Sequence, residues 1–312
     1  MTILKNWQDT YTEKFQKDVL VFEHGLPDTD LFSDDALIWL LDNHPAHLID
    51  MCSMGAADHP THPNRFITGD FRDVDSASIL EAAKAGRIWI NLREAMNYHP
   101  QYKRVLDQMY DELREKSGRG IYNPRGGILI SSPVSQTPYH FDKSETLLWH
   151  VRGVKRVFIY PNNQNYLPDS ALEASLSTVT DDDLPYDKNF DQEAIVIDLK
   201  PGQAACWELN SPHRVDNSEF CVSVATEYST HDSILKNSVF RTNGFLRHKF
   251  GMVPALYEDT AVTTRYVKAA MDKVIKVFGH GVKSSDVDMV SFTIDSKTPG
   301  FVVPIEPFER NF

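Results

Sequence analysis

His140, Asp142 and His213 are the residues of this chain whose types and spacing suit metal chemistry. They stand in Thr137-Pro138-Tyr139-His140-Phe141-Asp142 and in Ser211-Pro212-His213-Arg214-Val215-Asp216-Asn217. Two imidazoles and one carboxylate form the facial ligand set of a mononuclear non-haem Fe(II) centre, which leaves the opposite positions open. In an extended segment residues i and i+2 point to one side. The spacing therefore predicts that His140 and Asp142 reach one ion from a single strand while Phe141 faces away into packing. A lone His-x-Asp is weak evidence among 12 histidines, and His231-Asp232 shows how readily such neighbours arise by chance. What strengthens it here is the strand context and a second histidine inside a turn-strand-turn unit.

The elements around these residues have to bring distant segments together. A third ligand remote in sequence but adjacent in space is what a rolled antiparallel barrel provides. His213 follows the apolar run Ile195-Val196-Ile197-Asp198-Leu199, a turn Lys200-Pro201-Gly202-Gln203 with Pro and Gly in type II order, and the run Ala204 to Leu209. Cys221 to Tyr228 reads as a further strand. Between the two ligand segments, Val154 to Tyr160 alternates, with Lys155, Val157 and Ile159 on one face and Arg156, Phe158 and Tyr160 on the other. If the lysine face is the barrel interior, the ammonium needs an anion beside it, because an unpaired buried charge costs roughly several kcal/mol. A solvent-facing lysine on an edge strand is the other reading of the same pattern.

The stretch from about Ile128 to Tyr228, about a third of the chain, resembles the JmjC and cupin-like Fe(II)/2-oxoglutarate oxygenases. It is most similar to the asparaginyl hydroxylase type that acts on hypoxia-inducible factor. The resemblance rests on Thr137-Pro138-Tyr139-His140-Phe141-Asp142 followed by Arg152-Gly153-Val154-Lys155-Arg156-Val157. It implies a mainly β chain with flanking helices, built on a double-stranded β-helix (jelly-roll) barrel. It also implies Fe(II) on His140, Asp142 and His213, and 2-oxoglutarate with its distal carboxylate on Lys155 and Thr137. Thr146 and Asn217 are placed by position to touch cosubstrate or substrate. Related enzymes that hold the cosubstrate with an arginine carry it about ten residues past the distal histidine, where this chain has Ser223. The implied reaction is hydroxylation of an unactivated C–H bond with release of succinate and carbon dioxide. Demethylation shares its first chemistry, and retention of Asp142 speaks against halogenation. The alternatives are a cupin-type metalloenzyme that does not use 2-oxoglutarate (an isomerase, lyase or other dioxygenase), which would not need Thr137 with Lys155, and a barrel that has become a binding protein.

Composition fits a single globular enzyme: 312 residues, 41% hydrophobic and 24% charged. We expect an N-terminal mixed region over 1–125, a catalytic barrel over 126–232 and a C-terminal extension over 233–312. No stretch approaches the roughly 18 apolar residues of a membrane helix and the N-terminus lacks a signal-peptide core, so a cytoplasmic protein is expected. Cys52, Cys206 and Cys221 are odd in number and widely spaced, which suggests neither a disulfide framework nor a zinc site. The net charge of −12, from 44 acidic and 32 basic residues, repels phosphate backbones and argues against a nucleic-acid partner. It favours a small substrate of cationic or neutral amino-acid-like character, or a peptide or protein side chain.

Outside the barrel, helices are expected after Ser33 and Asp75 and over Pro100 to Ser117, with Leu106, Met109, Tyr110 and Leu113 as the buried stripe of the last. Arg87 to Leu92 reads as a strand. The polar segment 162–189, with Asp181-Asp182-Asp183, is either a substrate lid or a solvated loop. Thr263 to Phe278 carries an apolar helical stripe of Val267, Ala270, Met271, Val274 and Phe278, of a kind that usually packs on its own domain; the resemblance implies a homodimer built by C-terminal helices. His150 reads as a packed or pocket-lining histidine rather than a ligand, and His59 and His62 as a proline-rich loop. Arg152 and Arg156 read as surface charges, Trp149 and Trp207 as core aromatics.

Overall fold

The computed structural model describes residues 2–54, 66–177, 184, 186–278 and 288–312. Its centre is a set of eight strands between Tyr122 and Ser229 that divide between two sheets. In the larger sheet Gln203–Cys206, Glu145–Arg152, Cys221–Ser229 and Tyr122–Ser131 lie side by side in that order. In the smaller one the order is Ile195–Leu199, Lys155–Ile159, His213–Asn217 and Gln136–His140. Neighbours within each group pair antiparallel, and most connections carry the chain from one sheet to the other.

Alternation explains why the sheets face each other. Leu148, Val157, Ile159, Leu199, Ala205, Trp207 and Val215 turn inward and form one buried cluster between them. Leu147, Trp149, Ile128, Ile130, Val222 and Val224 take the opposite parity and pack beneath the N-terminal helices. The expected turn is present: Gln203 N–H donates to the Lys200 carbonyl at 3.0 Å, with Gly202 at φ 85°. Gly153, before the Lys155 strand, has φ 81°, and a Cβ there would stand 2.3 Å from the Phe220 carbonyl oxygen. Only glycine permits that approach.

The expected helices form at Asp34–Asn43, Ser76–Ala85 and Pro100–Ser117. Ser33 and Asp75 cap the first two by accepting from Ala36 N–H and Ser78 N–H, and Leu106, Met109, Tyr110 and Leu113 are buried on the third. The larger sheet extends well beyond the barrel, to eleven strands among the described residues. Leu20–His24 joins one edge, and Ile88–Leu92, Ile49–Met54 and Phe66–Asp70 continue the other. Met289–Ile294 then runs parallel to Phe66–Asp70, tying the end of the chain to its first third. Among the described residues, no helix is long and apolar enough to cross a membrane.

Three features differ from expectation. The polar segment contains a helix, Asp169–Ser177, that buries Leu172 and Leu176 against Leu167 and Phe240; Asp181-Asp182-Asp183 falls outside the described residues. A helix of 20 residues, His231–Phe250, follows the last barrel strand behind a Thr230 capping box. Its buried face includes Ser233, Ser238, Thr242, Asn243 and Gly244, so no apolar periodicity announces it. The helix Val262–Val277 forms as expected but faces the other way. Val267, Val274 and Phe278 are 59%, 54% and 73% exposed, while Asp272 is the buried residue, held by Arg241 at 2.8 Å. The stripe does not pack on its own domain.

Candidate metal centre

His140 ends its strand and His213 begins the neighbouring one, and the two are register partners. Asp142 is not on the strand: Gln136–His140 stops two residues earlier, and the carboxylate comes from the turn that follows. The reason lies in a distant segment of the chain. Asn210, in left-handed conformation at φ 67°, donates its side-chain N–H to the Asp142 carbonyl at 2.9 Å and draws the turn over the barrel mouth.

One ligand atom from each of His140, Asp142 and His213 lies within 4.8 Å of the others. His140 Nε2 is 3.9 Å from Asp142 Oδ1, and His213 Nε2 is 3.5 Å from Asp142 Oδ2. The opposite ring nitrogens are engaged: His140 Nδ1 lies 2.7 Å from the Pro138 carbonyl and His213 Nδ1 lies 3.0 Å from that of Ser211. A carbonyl oxygen only accepts, so each Nδ1 carries a proton toward its carbonyl, and Nε2 is the ring atom that each histidine turns toward Asp142. Burial, followed by the neighbouring His140, pushes His213 down to about 4 and keeps it neutral. Two imidazole nitrogens and a carboxylate thus converge, a donor set that fits a divalent cation of the nitrogen- and oxygen-binding kind.

Deeper in the barrel, Lys155 pairs with Asn217, Val157 with Val215 and Ile159 with His213, so lysine and metal-site histidine share the inner face. Lys155 is 2% exposed and has no hydrogen bond or ion pair among the described residues. Burial pushes its ammonium below the usual lysine range. Beside it, His150 lies 3.0 Å from Ser223 Oγ and 2.8 Å from the Gly153 carbonyl; burial and the Lys155 charge push it down to about 3. Asn217 donates to the Ser135 carbonyl at 2.8 Å, which leaves its Oδ1 buried without a partner. Ser131 Oγ is likewise buried and unpartnered, on the same face of its strand as Leu129. A buried ammonium and a buried hydroxyl, each without a partner among the described residues, suit a carboxylate.

Thr137 shares the face of His140 despite their odd spacing. The partners of His213 and Val215 are His140 and Thr137, so two steps on one strand match three on the other, and this bulge restores the parity. The Thr137 side chain is half-buried and makes no hydrogen bond among the described residues. Thr146 lies at the mouth end of its strand, away from His150, with its hydroxyl donating to the Ser144 carbonyl at 3.2 Å. Trp207 packs on His213 at 4.6 Å between ring centroids, whereas Trp149 points to the outer core and donates to Thr226. Arg156 pairs with Asp198 and Arg152 with Asp34, both away from the barrel interior. His59 and His62 lie outside the described residues. Sequence reasoning missed Asn210, Ser131 and Ser135; the parity of Ser131 with Leu129 was the one available signal.

No protein-family model and no curated protein matches the chain. Among solved structures it is similar to YcfD from Escherichia coli, at 16% identity and a TM-score of 0.51, over 90% of this chain and 71% of that one. YcfD as a ribosomal oxygenase in complex with cobalt and 2-oxoglutarate aligns at 16% identity with a TM-score of 0.50, over 89% of this chain and 69% of that one. A further crystal structure of the same Escherichia coli protein aligns at 15% identity and a TM-score of 0.50, over 90% and 70%. The likeness establishes a shared fold across nearly the whole chain: mainly β-sheet, flanked by helices.

Proposed function

We propose that this chain is an Fe(II)- and 2-oxoglutarate-dependent oxygenase of the JmjC/cupin-like type. The two facing sheets correspond to a double-stranded β-helix spanning 126–232, with 1–125 and 233–312 as supporting regions. One observation carries the reading: the convergent His140, Asp142 and His213 share a barrel interior with a buried lysine that has no anion beside it among the described residues. His140 and His213 hold the metal through Nε2, oriented by the Pro138 and Ser211 carbonyls, and Asp142 supplies the negative charge. Lys155, with Ser131 and Thr137, receives the distal carboxylate of the cosubstrate. Leu148, Val157, Val215 and Trp207 exclude water from the space between. Fe(II) with bound 2-oxoglutarate would supply the oxidising power with dioxygen as the oxidant, one oxygen atom of O2 entering succinate as the cosubstrate loses carbon dioxide and the other entering a substrate C–H bond. That substrate is a small molecule or a peptide or protein side chain. The motif set, most similar to the asparaginyl hydroxylase type, and the likeness to a ribosomal oxygenase both favour the side chain.

Anaerobic addition of 2-oxoglutarate to the Fe(II)-loaded protein tests this directly. A visible charge-transfer band is expected. Metal uptake without a band would instead identify a cupin enzyme that does not use the cosubstrate, and no metal uptake would remove the catalytic reading altogether.

The apolar face of Val262–Val277 supports a homodimer. Val267, Val274 and Phe278 are exposed on it, and Phe250, Met252 and Val253 are further exposed apolar residues of the C-terminal region. Light scattering should give about twice the 35.6 kDa chain mass, and Val274→Asp should return the monomer; a monomeric wild-type chain would end the proposal.

A further inference from the structure

Beside the turn that carries Asp142 lies a cleft of about 460 Å³ that the metal centre does not use. Among the described residues its lining holds Lys143, Arg241 and Lys276 with the hydroxyl residues Ser144, Ser175 and Ser229, and no carboxylate. Behind the lining, Asp272 is shared between Arg241 at 2.8 Å and Lys276 at 3.0 Å, while Lys143 has no ion pair among the described residues. Among the described residues, three cations therefore face one carboxylate, in a chain whose net charge is −12. Cations gathered against the overall sign of a protein, in a concave site of ligand size, focus an attractive potential for anions. The hydroxyls add donors: no hydrogen bond from Ser144, Ser175 or Ser229 Oγ is formed among the described residues, although Ser175 is only 9% exposed. The backbone is fixed as well, because Asn237 donates its side-chain N–H to the Lys143 carbonyl at 2.6 Å.

We infer that this cleft binds the anionic group, carboxylate or phosphate, of the molecule the enzyme oxidises. Its place in the fold argues for substrate rather than a remote effector. Lys143 follows Asp142 directly, with Cα atoms about 3.8 Å apart across one peptide bond. Glu145 and Tyr228 are register partners, so Ser144 and Ser229 sit together at the same end of the barrel strands. An anion held here leaves the rest of a small molecule, or the next side chains of an acidic peptide, within reach of the metal. Overall charge favours a cationic or neutral substrate; the local balance reverses that. The assignment to substrate, unlike the anion site itself, rests on the oxygenase reading above.

The test uses the full chain, titrated calorimetrically with inorganic phosphate and separately with acetate, and compares wild type with the double variant Lys143→Ala/Lys276→Ala. Both lysines are solvent-accessible, with the Lys276 side chain 51% exposed, and an unchanged circular-dichroism melt shows that the variant folds. Saturable binding of at least one anion, weakened about tenfold or more in the variant, is expected. Stronger binding of phosphate than of acetate would assign a phosphorylated group, and the reverse a carboxylate. Absence of saturable binding, or equal affinity in the variant, overturns the inference. Uncoupled 2-oxoglutarate consumption is measured on the same samples. Consumption without anion binding leaves the oxygenase standing and the cleft unassigned; anion binding without consumption keeps the anion site and overturns its link to a substrate.

Discussion

Asp142→Ala should lower affinity for Fe(II), or for Co(II) as an air-stable substitute, by at least about 100-fold, and abolish succinate formation. Loss of a group that merely orients a ligand costs about 10- to 100-fold in metal affinity, and Asp142 is itself a proposed ligand and the only negative one. Without it, two neutral imidazoles remain. The fold should survive. The Asp142 side chain is 28% exposed, and the hydrogen bond that shapes its turn goes from Asn210 to the backbone carbonyl, which alanine keeps. Apo stability should therefore change by no more than about 0.5 kcal/mol, as at an ordinary surface position. Metal at about 100 times its Kd should raise wild-type stability by about 2.7 kcal/mol and that of the variant by no more than about 0.4 kcal/mol. Paired melting curves with and without metal read both quantities. A variant that gains as much stability from the metal as wild type does removes Asp142 from the ligand set.

How much of this arrangement the sequence discloses depends on how local each signal is. The strand bearing His213 is legible because a Pro-Gly turn precedes it and alternation runs through it. Asp142 misleads for the opposite reason. The i, i+2 rule holds only while the strand lasts, and what ends the strand and positions the carboxylate is Asn210, 68 residues further on. Thr137 and His140 share a face only through a bulge that no pattern of three residues reveals. The extra strands of the larger sheet depend on pairings such as Val290 with Thr68, which strand propensity does not encode. For the C-terminal helix, periodicity fixes the apolar stripe but not its direction. Packing inward and packing on a second copy require the same spacing, and only the buried Asp272–Arg241 pair decides which face turns to the domain. Ser131 is a different case again, since its importance lies in a missing partner, and an absence of that kind appears only in three dimensions.

Lys155→Met should make the apo protein more stable and the enzyme unable to use 2-oxoglutarate. The two effects have one cause. Lys155 is buried with no anion among the described residues, so the apo fold carries the desolvation cost of an ammonium without its compensation. Methionine has similar length and no charge, and replacing buried ionic groups by well-packed apolar ones commonly stabilises by about 1–4 kcal/mol. With cosubstrate the sign reverses. A carboxylate buried without its counter-charge costs about 3–5 kcal/mol, which is about two to four decades in affinity. The metal lies against other residues, so its affinity should be unaffected, which separates this variant from Asp142→Ala. The pH dependence gives an independent check. Burial lowers the ammonium pKa in the folded apo protein, so between that lowered value and the unfolded value near 10.4 the unfolded chain binds the extra proton. Stability therefore rises with pH across that interval. The rise should disappear in Lys155→Met and flatten in wild type saturated with 2-oxoglutarate, whose carboxylate restores the charged form. A variant that melts lower than wild type at neutral pH, or one that binds 2-oxoglutarate as tightly, would place the ammonium outside the cosubstrate pocket.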